Sequence, residues 1–320
     1  MKLSLNILKM AKPRIFGQLS DIDLRLLRVF RSVVEAGGFS AAELELNIGR
    51  STISRHIKDL EIRLGVTLCR RGRGGFALTD EGSYIYDATL RLLSATEEFR
   101  GEVQEVHQSM KGKLVVALFD KTASNPDCHI PDTFRLFDER APEVSIETYV
   151  APINEIEKGV MDGRFHLGVI PLHRPSASLD YIQLFPEQMY LYCGKHHPLF
   201  NLDDSDINKA QILKYKYAGL GYHSPNMEIG NKLHMARSAT AYDQEAIVLL
   251  IMSGCYLGYL PEHYARHFVD DGLIRTVSSR TFHYLCQFSA ITRRSPKPTR
   301  ILQTFIDCLQ DCHLSHNDNT

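Results

Sequence analysis

At 320 residues the chain is long enough for two or three domains, each able to bury a core. A formal net charge of -1 hides an asymmetry: residues 1–80 carry 14 Lys and Arg against 8 Asp and Glu, while the remainder carries 23 against 30. A basic head on an acidic body suits a head that meets a polyanion; seven cysteines without framework spacing exclude a disulfide scaffold and fit reduced thiols in a cytoplasmic protein; no apolar run reaches membrane-spanning length.

The opening stretch is broken by Asn6, Lys9 and Lys12 and makes a poor signal peptide. Residues 1–19 read as a loosely ordered N-terminal extension or a misplaced start. Ser20 then caps a helix over 21–36, with Leu24, Leu27, Phe30, Val33 and Val34 inward and Gly37-Gly38 as its stop.

Residues 39–64, FSAAELELNIGRSTISRHIKDLEIRL, read as two short helices joined by a tight turn. Ser40 and Glu43 stand at capping-box spacing, with Phe39 and Leu44 placed for a hydrophobic staple. Asn47 suits the left-handed residue that ends a helix, and Gly49 loosens the turn. In the second helix Ile53, Ile57, Leu60 and Leu64 form one apolar stripe. Arg50, Ser51, Ser54, Arg55 and Lys58 gather on the other side, with no acid before Asp59. Such a face fits the major groove, where Arg donates twice to guanine and Ser serves either base edge or a phosphate. An isolated helix of this kind is ordinarily just a solvated surface helix; cap, turn and basic face in one window favour DNA.

VTLCRRGRGGFALT, residues 66–79, reads as a hairpin wing whose tip carries Arg70, Arg71 and Arg73 toward phosphates or the minor groove. The winged helix-turn-helix domain is thus placed at 20–80. From 80 to about 110 there is no proline, and Tyr84, Ala88, Leu92, Thr96, Phe99, Val103 and Val106 approximate a heptad stripe. A lone helix of that length needs a partner, so 81–110 is read as a linker and dimerisation helix.

Beyond Lys111-Gly112-Lys113 the pattern alternates strand and helix: strands at LVVALF, VSIETYV and HLGVI, helices over 131–140 and 153–163. A second set follows with MYLYC, YKYAGLG, a helix over 243–253 and YLGYL, then the strand FHYLCQFSAI and a closing helix over 299–312. The fold class is therefore α/β with a helix-rich head, the domain over 111–312 comprising two α/β lobes with a ligand cleft at the carboxyl ends of their parallel strands, and 313–320 a polar tail. Cys308-x3-Cys312-His313 and His196-His197 lack a second ligand cluster, so no metal is assigned. G-x-S-x-G, P-loop and zinc-protease patterns are absent; no cofactor and no catalytic residue are assigned.

These residues together resemble the LysR-type transcriptional regulators. The similarity covers nearly everything from Asp23 onward and is most specific over DLRLLRVFRSVVEAGGFSAAELELNIGRSTISRHIKDLEIRLGVTLCRRGRGGFALTDEG. HHPLF and SGCYLGYLP echo the family more weakly. The resemblance implies a winged helix-turn-helix, a dimerising linker helix and a two-lobed effector domain of the type 2 periplasmic-binding-protein kind. By resemblance, DNA contacts fall on Arg50, Ser51, Thr52, Ser54, Arg55 and, in the wing, Arg71; the reading of the residues themselves adds Ser40, Lys58 and Arg73. Gly49-Arg50-Ser51 stands where the family has Ser-Gln-Pro, which implies a base preference of its own. The implied effector lining is Asp120, Lys121, Thr122 and Ser124 on one lobe, Tyr222, His223 and Ser224 on the other, with Pro152 and Ile153 at a second loop and His173 at the crossing. Pro152 has no amide proton to offer a ligand. Lys121 and His173 lean toward an anionic effector, Tyr222 toward an aromatic one. Hinges are expected near 170–173 and 259–264. The implied partners are double-stranded DNA, a small molecule, further copies forming a dimer and a tetramer, and RNA polymerase. Two alternatives accompany this reading: redox sensing through Cys193, Cys255 or Cys286, and, from a different class, a solute-binding module.

Overall fold

The computed structural model describes residues 17–72, 75–106 and 110–317 and divides into two compact units at Glu97/Glu98. The first opens with three helices, α1 (Asp21–Glu35), α2 (Phe39–Leu46) and α3 (Arg50–Leu64). A hairpin of β1 (Cys69–Gly72) and β2 (Gly75–Leu78) follows, pairing antiparallel from Cys69 with Leu78 to Gly72 with Gly75. The long helix α4 (Asp80–Val106) then begins. The head core is small: Leu26, Leu27, Phe30 and Val33 of α1 meet Ala42 of α2 and Ile53, Ile57 and Leu60 of α3. Leu24 and Val34, expected inward, are only half-buried. At Gly82 a Cβ would stand 2.0 Å from the Leu68 carbonyl oxygen, so only glycine lets the start of α4 approach the strand leading into the wing this closely.

Two local expectations are corrected. Gly38, not Ser40, is the N-cap of α2, leaving Ser40 exposed on the helix. Glu43 turns its carboxylate to the Arg50 backbone N–H and so caps α3 rather than its own helix. Leu44 is 90% exposed, so no staple forms; Phe39 packs edge-on against Phe76 of the wing instead. Asn47 does adopt the left-handed conformation, at φ 50°.

A capping interaction of another kind ties α1 to the end of α3. Asp23, fully buried, accepts from the Ser20 N–H at 2.9 Å, from the Ser20 hydroxyl at 2.6 Å, and from Arg63 Nη2 at 2.8 Å, with Arg63 Nε on its other oxygen. The guanidinium holds the Asp23 carboxyl far below its ordinary 3.8. A depressed acid contributes stability above its ordinary value and loses it as pH falls below that. Arg63→Ala is therefore expected to destabilise the head near neutrality, lowering its melting temperature. The gap from wild type should shrink as the pH drops below 3.8, measurable by acid titration of the head's circular dichroism.

In the second unit, parallel β3 (Gly112–Leu118), β4 (Val144–Val150) and β5 (Leu167–Pro171) carry the helices α5 (Ile130–Arg140) and α6 (Ile153–Met161). β6 (Leu179–Gly194) is a single 16-residue strand, far longer than the MYLYC expected, and leads into the second set. That set holds α7 (Lys209–Ile212), β7 (Lys216–Leu220), α8 (Pro225–Leu233), β8 (Arg237–Ala241), α9 (Gln244–Met252), β9 (Tyr256–Pro261), α10 (Glu262–Asp270) and β10 (Ile274–Thr276). β11 (His283–Arg293) and α11 (Arg300–Asn317) close the chain. Among the described residues the sheet runs β4-β3-β5-β11-β6-β9-β7-β8, with β10 also on β6.

Two strands belong to both lobes. β11 pairs with β5 at Phe288–Ile291 and with β6 along nearly its whole length, while β6 pairs with β9 only from Met189 onward. The crossing lies inside β6 and β11, where their register shifts between Gln287 and Ser289 and the rings of Phe185 and Phe288 stack at 5.0 Å. The expected hinge segments fall elsewhere: Ile170 and Pro171 end β5, and 259–264 spans the β9–α10 junction. A continuous antiparallel ladder of β6 and β11 carries the chain between lobes.

Candidate nucleic-acid interface and ligand cleft

On α3, Ile53, Ile57 and Leu60 are fully buried. At about 100° per residue, Ser51, Arg55 and Lys58 fall opposite them, and all three are exposed. Arg50 is exposed on one flank; Thr52 and Ser54 are half-buried, Ser54 having a partner of its own. The expected contact set is thus graded, with Ser51, Arg55 and Lys58 most outward. A cation absent from that set also contributes: Arg25 of α1, with Arg55, adds to burial in pushing the His56 imidazole down. Only the third dimension brings an α1 residue to α3. The side chains of Arg71 and Arg73 lie outside the described residues.

Exposed apolar side chains on α4 are Tyr84, Phe99 and Val103, the last two one turn apart. Leu92, expected in the same stripe, packs with Ile85 and Tyr86 against the head core. The side chain of Val106 lies outside the described residues.

The loop after β3 reaches across to the second lobe at several points. Asp120 accepts from the Gln244 backbone N–H at 2.7 Å, adding a second carboxylate to the start of α9 beside its own cap, Asp243. Lys121, at φ 63°, places its ammonium 2.7 Å from Glu245 and 4.7 Å from the centre of the Tyr264 ring, while the Tyr264 hydroxyl donates to Glu245 at 2.8 Å. Ser124 Oγ lies 2.9 Å from His263 Nδ1, and His263 Nε2 lies 2.9 Å from the buried Glu187 carboxylate. His173 and His223 meet with ring centres 5.1 Å apart, with Glu157 at 3.6 Å from the first and Glu228 at 3.6 Å from the second. Burial pushes the Asp120 carboxyl up to about 6 and pushes the His173 imidazole down.

Of the expected lining residues, Asp120, Lys121, Ser124, His173, Tyr222 and His223 are brought to this region. Thr122 is buried and its hydroxyl donates to the Phe119 carbonyl, Ser224 is the buried N-cap of α8, and Pro152 caps α6. Ile153 is fully buried core, because the first helical residue after β4 points into the sheet. Glu187, Gln244, Glu245, His263 and Tyr264 were missed. Glu187 sits in the middle of a strand and the others at helix starts, where neither periodicity nor spacing marks them.

Cys69, Cys128, Cys193, Cys255, Cys286, Cys308 and Cys312 form no disulfide in the structure. Burial pushes the Cys193 thiol up to about 12 and Cys286 well above its ordinary value, so neither is a ready thiolate. Among the described residues no helix is long and apolar enough to cross a membrane.

Comparison with known proteins gives two family matches. Residues 24–83 match the bacterial regulatory helix-turn-helix protein, lysR family, and residues 107–312 match the LysR substrate binding domain. The HTH-type transcriptional activator BauR of Pseudomonas aeruginosa is 41% identical over 302 residues, covering 94% of this chain and 99% of its own. The probable regulator LrrA of Synechococcus elongatus is 29% identical, covering 62% and 66%. In fold, full-length CbnR complexed with its target DNA superposes with a TM-score of 0.61 at 19% identity, covering 91% of this chain and 99% of CbnR. A full-length OxyR variant from Pseudomonas aeruginosa gives 0.58 at 18%, covering 92% and 96%. A helix-turn-helix whose second helix turns a basic face outward, joined to two α/β lobes that close on one another through side chains, thus matches one family from end to end: the chain belongs to the LysR-type transcriptional regulators.

Proposed function

We propose that α3 reads an interrupted inverted repeat in double-stranded DNA, one head per half-site, and that a small molecule between the two α/β lobes sets the activity. The observation that carries the first part is the exposed Ser51, Arg55 and Lys58 face opposite the buried Ile53, Ile57 and Leu60. Side-chain bridges from Asp120, Lys121 and Ser124 to Gln244, Glu245 and His263 support the second, since a ligand there would exchange contacts made in one closure for contacts made in another. The exposed Phe99 and Val103 support pairing of α4 with its copy in a second chain; that effector domains join such dimers into a tetramer rests on the family resemblance. The relative BauR is an activator by name, which favours activation here, through RNA polymerase in the cytoplasm. Arg55→Ala is expected to weaken binding to the protein's own promoter by about 1–3 kcal/mol while leaving binding to random duplex nearly unchanged. Competition gel shifts at fixed salt measure both; equal affinity of the wild-type protein for promoter and random duplex would overturn the proposal.

A further inference from the structure

The cleft has one corner where hydrogen-bond acceptors outnumber donors. Asp120 spends Oδ2 on the Gln244 N–H, but its Oδ1 is buried without a protein partner among the described residues. The Oε1 of Gln244, a residue only 2% exposed, is likewise buried and unpartnered, as is the hydroxyl of Tyr222, 7% exposed. Gln244 donates its backbone N–H to Asp120 at 2.7 Å, and Tyr222 lies close enough for the Asp120 charge to act on its hydroxyl. Buried polar atoms are ordinarily satisfied, and leaving such atoms unsatisfied costs stability.

The charges nearby point the same way. Lys121 is neutralised by Glu245, and Glu187 faces His263, which leaves Asp120 and the α9 cap Asp243 without a paired cation among the interactions described here. Tyr264 is buried beside them and its ring already faces the Lys121 ammonium, the arrangement an aromatic face offers a cation. The anionic effector expected from Lys121 and His173 finds one of these groups paired and the other buried.

We propose that this corner binds the primary ammonium group of a small-molecule amine or amino acid, whose three N–H donors match Asp120 Oδ1, Gln244 Oε1 and Tyr222 Oη. The proposal rests on the interlobe cleft being the ligand site. Its specificity comes from the acceptors: a molecule whose nitrogen is acylated has lost both the charge and two donors, leaving a buried carboxylate unpaired.

The test uses the full-length protein and thermal shift with isothermal titration. The probes are butylamine, benzylamine and the standard amino acids, each beside its N-acetyl derivative, with butyrate and benzoate as carboxylates. At least one free amine should raise the melting temperature of the effector domain, and its N-acetyl form should not. Asp120→Asn keeps an oxygen for the Gln244 N–H but removes the charge, and is expected to weaken that amine at least tenfold. Gln244→Leu provides a second variant of similar volume with the same expected direction. If carboxylates or N-acetyl forms bind as well as amines, and lose binding in these variants, the ammonium assignment falls while the cleft stands. If an amine binds wild type and both folded variants equally, both fall. If none of these free amines binds at about 10 mM, the ammonium assignment is overturned.

Discussion

Phe99→Asp is expected to dissociate the protein into smaller species and to abolish tight DNA binding. Phe99 is 65% exposed on α4 and Val103, one turn on, is 45% exposed, so the helix presents to solvent apolar area that a partner helix would cover. In a twofold seam each substitution enters twice. A carboxylate buried without a partner costs several kcal/mol, so the association constant should fall by a factor of about a thousand or more. DNA binding follows, because a joined pair of heads gains effective concentration worth about 10²–10⁴ in affinity over single heads. Light scattering at micromolar protein and gel shifts on the same samples read both effects. A wild-type monomer at that concentration would refute the seam. Leu92→Lys, which the heptad pattern also nominates, tests something else: Leu92 packs against the head core, so a lysine there should destabilise the head.

The other large effect is expected at Ile57→Ala. Ile57 is fully buried among Phe30, Leu60 and the rest of a core that holds a dozen buried residues among those described. Truncating a buried Ile to Ala costs about 3 kcal/mol, a large part of the ~5 kcal/mol that a domain this small commonly has. The head should melt well below the effector unit, whose core contains none of these residues, and sequence-specific binding should vanish at 37 °C. Differential scanning calorimetry of the full chain shows this as one transition moved and one unmoved. Arg55→Ala makes the control, since an exposed arginine can change DNA affinity without moving either transition. Equal displacement of both transitions by Ile57→Ala would mean that the two units unfold as one.

How much of this was legible beforehand follows from the range of the interactions involved. The stripe Ile53, Ile57, Leu60 is a property of helical period, so its burial and the outward face of Ser51, Arg55 and Lys58 could be read from the chain alone. Asn47 could be read too, because the left-handed residue at a helix end is a local preference. The bounds of β4, Val144 and Val150, could be read as well, although its burial does not alternate. Ser40 and Glu43 show where local reading stops. Their spacing fits a capping box, but Glu43 has a better use seven residues on, at the unsatisfied N–H of Arg50.

Sequence by itself determined the class of protein, the three-helix head with its wing and the outward basic face of α3, because periodicity, capping preferences and turn residues act within a few residues of each other. The tertiary structure decided which side chains meet across the two lobes. Asp120 and Gln244 stand 124 residues apart in the chain and Ser124 and His263 stand 139 apart, and only the closure of the two lobes makes them neighbours. It also decided that Lys121 is spent on Glu245 and that Ile153 belongs to the core. Whether a charged or apolar side chain is available to a ligand depends on what packs against it from the rest of the fold, and no local pattern records that.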